Sequence, residues 1–121
     1  MSKADQGRMG YHSGLEAERS VARQYLRAGY SFAAHRFRAG RGEIDLVMRR
    51  GAEVIFIEVK QSASHAKAAT ALGQRQIARM FETATQFVAG EPMGQDTDMR
   101  FDVALVDGRG QVEVLENALA A

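Results

Sequence analysis

Gly42-Glu43-Ile44-Asp45-Leu46-Val47-Met48-Arg49-Arg50-Gly51-Ala52-Glu53-Val54-Ile55-Phe56-Ile57-Glu58-Val59-Lys60 is the stretch that decides the fold. It reads as two β-strands joined by a tight turn at Arg50-Gly51-Ala52. Side chains alternate faces along a strand. Ile44, Leu46 and Met48 therefore share one face of the first strand, and Glu43, Asp45 and Val47 the other. On the second strand Ile55, Ile57 and Val59 oppose Val54, Phe56, Glu58 and Lys60. Asp45, Glu58 and Lys60 thus occupy positions that a core would claim in otherwise apolar, β-prone runs. A carboxylate there is costly unless a cation or strong donors compensate it. A divalent metal with oxygen ligands would do so, with Lys60 beside it to orient water. The alternative is an amphipathic hairpin with one wet face, on which Glu58 and Lys60 are a surface pair.

The chain has 121 residues, enough for one domain with a sizeable core. Its 45% hydrophobic and 26% charged content are ordinary for a globular domain. No cysteine is present, which excludes disulfides, thiolate zinc sites and a thiol nucleophile. His12, His35 and His65 show no ligand spacing, so zinc is not expected. No apolar run reaches membrane length and the N-terminal residues lack a signal-peptide core, so no membrane partner and a cytoplasmic location are expected. The net charge of +1 conceals a local cluster: Arg36, Arg38, Arg41, Arg49 and Arg50 crowd the strands next to the carboxylates. Such clusters suit phosphate, and they equally suit solvated strand ends.

Outward from the hairpin, residues 1–12 read as a flexible tail, 13–116 as the domain and 117–121 as a second tail. A helix is expected over 13–28, with Ser13 as N-cap, Glu16 completing a capping box and Gly29 ending it. At about 100° per residue, Leu15, Val21, Ala22, Tyr25 and Leu26 form an apolar arc. Glu16 lies outside that arc, whereas Glu18 falls near its middle, where a carboxylate needs a polar partner. An arginine would serve, as would a metal shared with Asp45 and Glu58.

Residues 30–38 suggest a first strand with Phe32 and Phe37 in the core. Residues 61–68 form a polar loop at the exit of the proposed site. A second helix over 69–89 carries the stripe Ile77, Met80, Phe81, Ala84, Phe87 and Val88, with Arg75, Arg79 and Gln86 lying off it. Two short strands, 100–106 and 111–115, complete an α/β order αβββαββ.

Four strings carry a family resemblance: Gly14-Leu15-Glu16-Ala17-Glu18, Gly42-Glu43-Ile44-Asp45-Leu46, Phe56-Ile57-Glu58-Val59-Lys60 and Arg100-Phe101-Asp102-Val103. In order and spacing they resemble the YraN-like family of small bacterial proteins. Through it they resemble the nuclease superfamily named for the motif PD-(D/E)xK, which includes restriction enzymes and archaeal Holliday-junction resolvases.

The resemblance implies a restriction-endonuclease-like core, a mixed five-stranded sheet flanked by two helices. It also implies a metal-dependent endonuclease acting on DNA, with branched DNA among its candidate substrates. By that resemblance Asp45, Glu58 and Glu18 would hold Mg²⁺ or Mn²⁺, with the Val59 carbonyl as an extra ligand. Lys60 would be the catalytic lysine and Glu43 a supporting group. Arg36, Arg38, Arg41, Arg75 and Arg79 would meet nucleic acid, and a homodimer would let two sites serve two strands. Asp102 is assigned a structural role, as a polar anchor at a strand end. The chain departs from the family at Gly73 and Gln76, where relatives tend to carry lysines, and at Gln61-Ser62 after Lys60. Two rival readings are a nucleic-acid-binding module of the same fold with weak or no catalysis, and an interaction protein whose carboxylates are only a polar sheet face.

Overall fold

The computed structural model describes the backbone of residues 3–61 and 74–118. The order is α1 (Lys3–Arg27), β1 (Ser31–Ala39), β2 (Gly42–Arg50), β3 (Glu53–Gln61), α2 (Gln74–Val88), a 3₁₀ turn (Gly94–Asp96), β4 (Met99–Val106) and β5 (Val112–Leu115). The described strands form one mixed sheet in the order β1-β2-β3-β4-β5, in which β3 and β4 run parallel and the other described pairs antiparallel. A parallel pair needs a crossover, and the segment containing α2 supplies it. This is the expected α/β architecture, αβββαββ, with two helices among the described residues. None of those helices is long and apolar enough to cross a membrane. The expected loop at 61–68 and the first residues of the expected helix over 69–89 lie almost wholly outside the described residues.

The helices cover opposite faces of the sheet. Ala17, Val21 and Tyr25 of α1 pack with Leu46, Met48, Ile55, Ile57, Ala104 and Val106. Ala84 and Val88 of α2 pack with Ile44, Val47, Val54, Phe56 and Phe101. Covered on both sides, β3 is a continuous apolar run whose residues Val54, Ile55, Phe56 and Ile57 are all fully buried. Each such side chain contributes roughly 1.5–3 kcal/mol.

The β2–β3 turn is tight, with Arg50 paired to Glu53 and Gly51 at φ +61°. A glycine in the first central position suits a two-residue hairpin loop. Helix α1 stops as the glycine predicts. Gly29 adopts φ +96°, its N–H bonds Leu26 O at 3.1 Å, and the Tyr30 N–H bonds Tyr25 O at 3.1 Å. This is the Schellman pattern, and its hydrophobic contact is the edge-on pair Tyr25–Tyr30, 5.2 Å between ring centres.

Helix α1 begins at Lys3, so Ser13 lies inside it and is no N-cap, and residues 3–12 are helical instead of a loose tail. Good helix formers such as Lys3, Ala4, Gln6, Arg8 and Met9 carry the helix through Gly7 and Gly10. Phe32 is no core anchor; it is 53% exposed on edge strand β1, where a register shift falls between Phe32 and Ala34. Phe37 does pack inward, edge-on to Phe87 at 5.0 Å.

Ile44 does not share a face with Leu46 and Met48; it joins Val47 and Phe56 under α2. Pairing with β1 passes from Leu46–His35 to Ile44–Phe37, and Arg36, between them on β1, adopts a left-handed φ of +52°. Pairing with β3 reaches only as far as Leu46–Ile57. Strand β2 therefore turns over at Asp45, between its two neighbours.

Candidate active site

Asp45 stands where the β2–β3 ladder stops, and its side chain replaces the next rung. The Val59 N–H donates to Asp45 Oδ2 at 2.8 Å. In an extended strand the N–H and C=O of one residue face the same neighbour. The Val59 carbonyl thus faces the gap that Asp45 occupies. Glu58, one residue back, is buried at 5% exposure beneath α2. The wet-face alternative for the hairpin fails on that burial.

Asp45 and Glu58 lie within hydrogen-bond reach of each other. Burial pushes the Asp45 carboxyl above its ordinary range, against the pull of the Val59 N–H, and the charge of Glu18 adds to the rise. Glu58 is pushed up to about 8, first by burial and then by the charge of Asp45; Lys60 opposes this. The Lys60 ammonium lies 3.4 Å from Glu58 Oε1. The Gln76 amide of α2 donates to the same oxygen at 2.7 Å. A half-buried and a buried carboxylate, the charge of Asp45 opposing ionisation of Glu58, are short of positive charge, and this donor set fits a hard divalent cation. Asp45, Glu58 and the Val59 carbonyl would hold it.

Glu18 is buried on α1, as its place in the apolar arc requires, and close enough for its charge to act on Asp45. Its oxygens are engaged elsewhere: Oε2 meets His35 Nε2 at 2.8 Å and Arg36 at 3.3 Å. Among the described residues no three His, Asp or Glu side chains gather into a ready metal cluster. The structure therefore brings Asp45, Glu58 and Lys60 together and holds Glu18 at their margin.

The expected basic cluster is a set of partnered arginines. Arg36 turns inward to Glu18, Arg38 pairs with Glu43 at 3.1 Å and Arg41 with Glu82 at 3.7 Å. Arg49 takes Glu91 with two bonds of 2.9 and 3.0 Å, and Arg50 bonds the Tyr30 hydroxyl at 3.3 Å. Glu43 is thus engaged by Arg38. Arg75 and Arg79 are exposed on α2 and line, with Arg41, Ala78 and Glu82, an open groove of about 290 Å³.

Asp102 has the structural role assigned to it. Fully buried, it accepts from the Tyr25 hydroxyl at 2.6 Å, from Arg100 twice at 2.9 Å and from the Asn117 N–H at 2.9 Å. Burial and Asp102 together push the Tyr25 hydroxyl far above its ordinary range.

Sequence reasoning missed two site residues. His35 shows no ligand spacing with His12 or His65, and alternation along β1 gives no reason to link it to α1. Gln76 read as a departure from a basic pattern; its position one turn before Met80 on the core-facing side of α2 was the available signal.

The matching family model, described as "Uncharacterised protein family UPF0102", covers residues 17–106. A UPF0102 protein of Cereibacter sphaeroides is 58% identical over 115 residues, covering 95% of this chain and 98% of that one. UPF0102 proteins of Roseobacter denitrificans and Ruegeria pomeroyi are 55% and 52% identical, covering 94% and 95% of this chain and 88% and 94% of theirs. The matched region spans the whole sheet through β4, both helices' packing faces and every residue around Asp45, and on this basis the chain belongs to the UPF0102 family.

Proposed function

We propose that this protein is a divalent-metal-dependent nuclease that hydrolyses phosphodiester bonds of DNA. The observation that carries the reading is the pair Asp45, half-buried, and Glu58, buried, in which the charge of Asp45 opposes ionisation of Glu58 and Lys60 stands 3.4 Å from Glu58. A folded protein keeps such a pair only where something offsets its cost. When bound there, Mg²⁺ or Mn²⁺ would polarise the phosphodiester and lower the pKa of a water. Asp45 is held in place by the Val59 N–H through one oxygen, and its other oxygen would serve the ion. Lys60 keeps its ammonium beside Glu58, where it can orient the attacking water and offset charge on the phosphorus oxygens. Exposed Arg75 and Arg79, on the helix that also carries Gln76, offer phosphate contacts beside the site.

The test is cleavage of labelled duplex, single-stranded, flapped and four-way DNA with Mg²⁺, Mn²⁺ or EDTA, using the native chain and Asp45→Ala. Metal-dependent cutting absent from the variant is the expected result. A folded native protein that cuts none of these substrates would sink the reading. A second reading, a nucleic-acid-binding module with little catalysis, is favoured by the engagement of Glu18 with His35 and Arg36. It predicts DNA binding indifferent to EDTA and to Asp45→Ala.

A further inference from the structure

Gln76 sits in the first described turn of α2, half-buried, and touches both Glu58 and Lys60 of the hairpin. Its Nε2 donates to Glu58 Oε1 at 2.7 Å, and its Oε1 accepts from Lys60 Nζ at 3.5 Å. Lys60 Nζ lies 3.4 Å from the same Glu58 oxygen, so the three side chains close a ring. The amide orientation follows from the partners' chemistry, because a carboxylate needs a donor and an ammonium needs an acceptor. Glutamate, lysine or methionine at 76 could not satisfy both. Both contacts fall on Glu58 Oε1, so neither occupies Oε2.

The helix behind Gln76 is fixed to the sheet. Met80, Ala84 and Val88 are buried, and Thr83 Oγ1 donates to Ala39 O at 3.1 Å. A residue on so anchored a helix can hold a flexible lysine to one rotamer at little further entropy cost. The longer contact, at 3.5 Å, is the kind that tightens when substrate is in place.

We propose that Gln76 is a positioning residue of this site, fixing the Lys60 ammonium and directing one oxygen of Glu58 away from the ion-binding gap. The proposal rests on the nuclease reading for its consequence in catalysis. Its geometric core, that Gln76 orders Lys60, is independent of that reading.

The test uses the full chain and two variants. Gln76→Met keeps length and helix propensity and removes both polar groups; Gln76→Glu keeps the acceptor for Lys60 and sets a charge against Glu58. Side-chain ¹³C relaxation of Lys60 in metal-free protein is the first readout. Lys60 should be ordered in the native chain and in Gln76→Glu, and should gain mobility in Gln76→Met. Cleavage with Mn²⁺ is the second. Gln76→Met should lower kcat on the order of ten- to a hundredfold with KM for DNA unchanged. A merely structural glutamine would lower the unfolding midpoint and leave Lys60 order and kcat per folded molecule native, and that outcome overturns the proposal. Should the native chain cut no DNA, the nuclease reading falls, and Lys60 order in Gln76→Met still decides whether Gln76 holds the lysine.

Discussion

Asp45 accepts the Val59 N–H at 2.8 Å at the point where β2 and β3 cease to pair through their backbones. One carboxylate oxygen is thereby part of the sheet's hydrogen bonding. A site residue held by the ladder is ordered before any ligand arrives, which is what preorganisation demands. Asp45→Asn separates the two roles, because an amide oxygen can still accept from Val59 while the charge is gone. The variant should unfold at native or slightly higher denaturant concentration at neutral pH, since the charge of Asp45 no longer opposes ionisation of Glu58. It should bind Mn²⁺ at least tenfold more weakly by calorimetry.

Glu58 makes stability depend on pH in an unusual direction. Its folded value of about 8 lies above the ordinary 4.5, so the folded chain holds the proton more tightly than the unfolded chain. Stability from this group is full below about 4.5 and is lost as pH rises through about 8. The raised carboxyl of Asp45 acts with the same sign. Urea unfolding in EDTA should therefore show a loss on the order of a few kcal/mol between those limits. Glu58→Gln should flatten the profile, and saturating Mn²⁺ should stabilise the native chain at the alkaline end by mass action. A flat native profile in EDTA would contradict the burial argument.

Lys60→Ala removes the ammonium next to Glu58 without touching Asp45. Cleavage should be abolished while DNA affinity, read by fluorescence anisotropy in Ca²⁺, stays within about threefold of native, as expected for a group that acts in the transition state. Full activity in this variant would remove the lysine from the mechanism.

Asp102→Ala should be the most destabilising of these substitutions and should act on the fold alone. It strips partners from the buried Tyr25 hydroxyl and from Arg100, which is 16% exposed. Removing one member of such a buried network costs about 3–5 kcal/mol, measurable as a shift in the urea midpoint. If the variant proves as stable as the native chain, the network is ornamental.

The hairpin and its three ionic residues were legible because Asp45, Glu58 and Lys60 interrupt runs that are otherwise apolar at every core-facing position. Glu18 was legible through the helical period, which set it among Leu15, Val21, Ala22 and Tyr25. The turnover of β2 was not. It goes with the left-handed backbone of Arg36, and an arginine gives no sequence sign of positive φ. Strict alternation accordingly put Ile44 on the wrong face. His35 and Gln76 stayed hidden because each meets its partner across an element boundary, 17 and 18 residues away in sequence. The partnering of the arginines was invisible for the same reason: Arg41 and Glu82, or Arg49 and Glu91, come together only once α2 has crossed the sheet.

Gly42 has a use beyond starting a strand. A β-carbon there would run into Thr83 Oγ1 and would lie 2.8 Å from the Arg79 carbonyl oxygen, which cannot swing aside. A single methyl at this position is a wedge driven into the seam between α2 and the sheet. Since α2 also carries Gln76, the wedge would lift the amide from Glu58 and Lys60 while every ionic residue of the hairpin stayed chemically intact. Gly42 is therefore a remote control of the site, a place from which it can be disarmed without being touched.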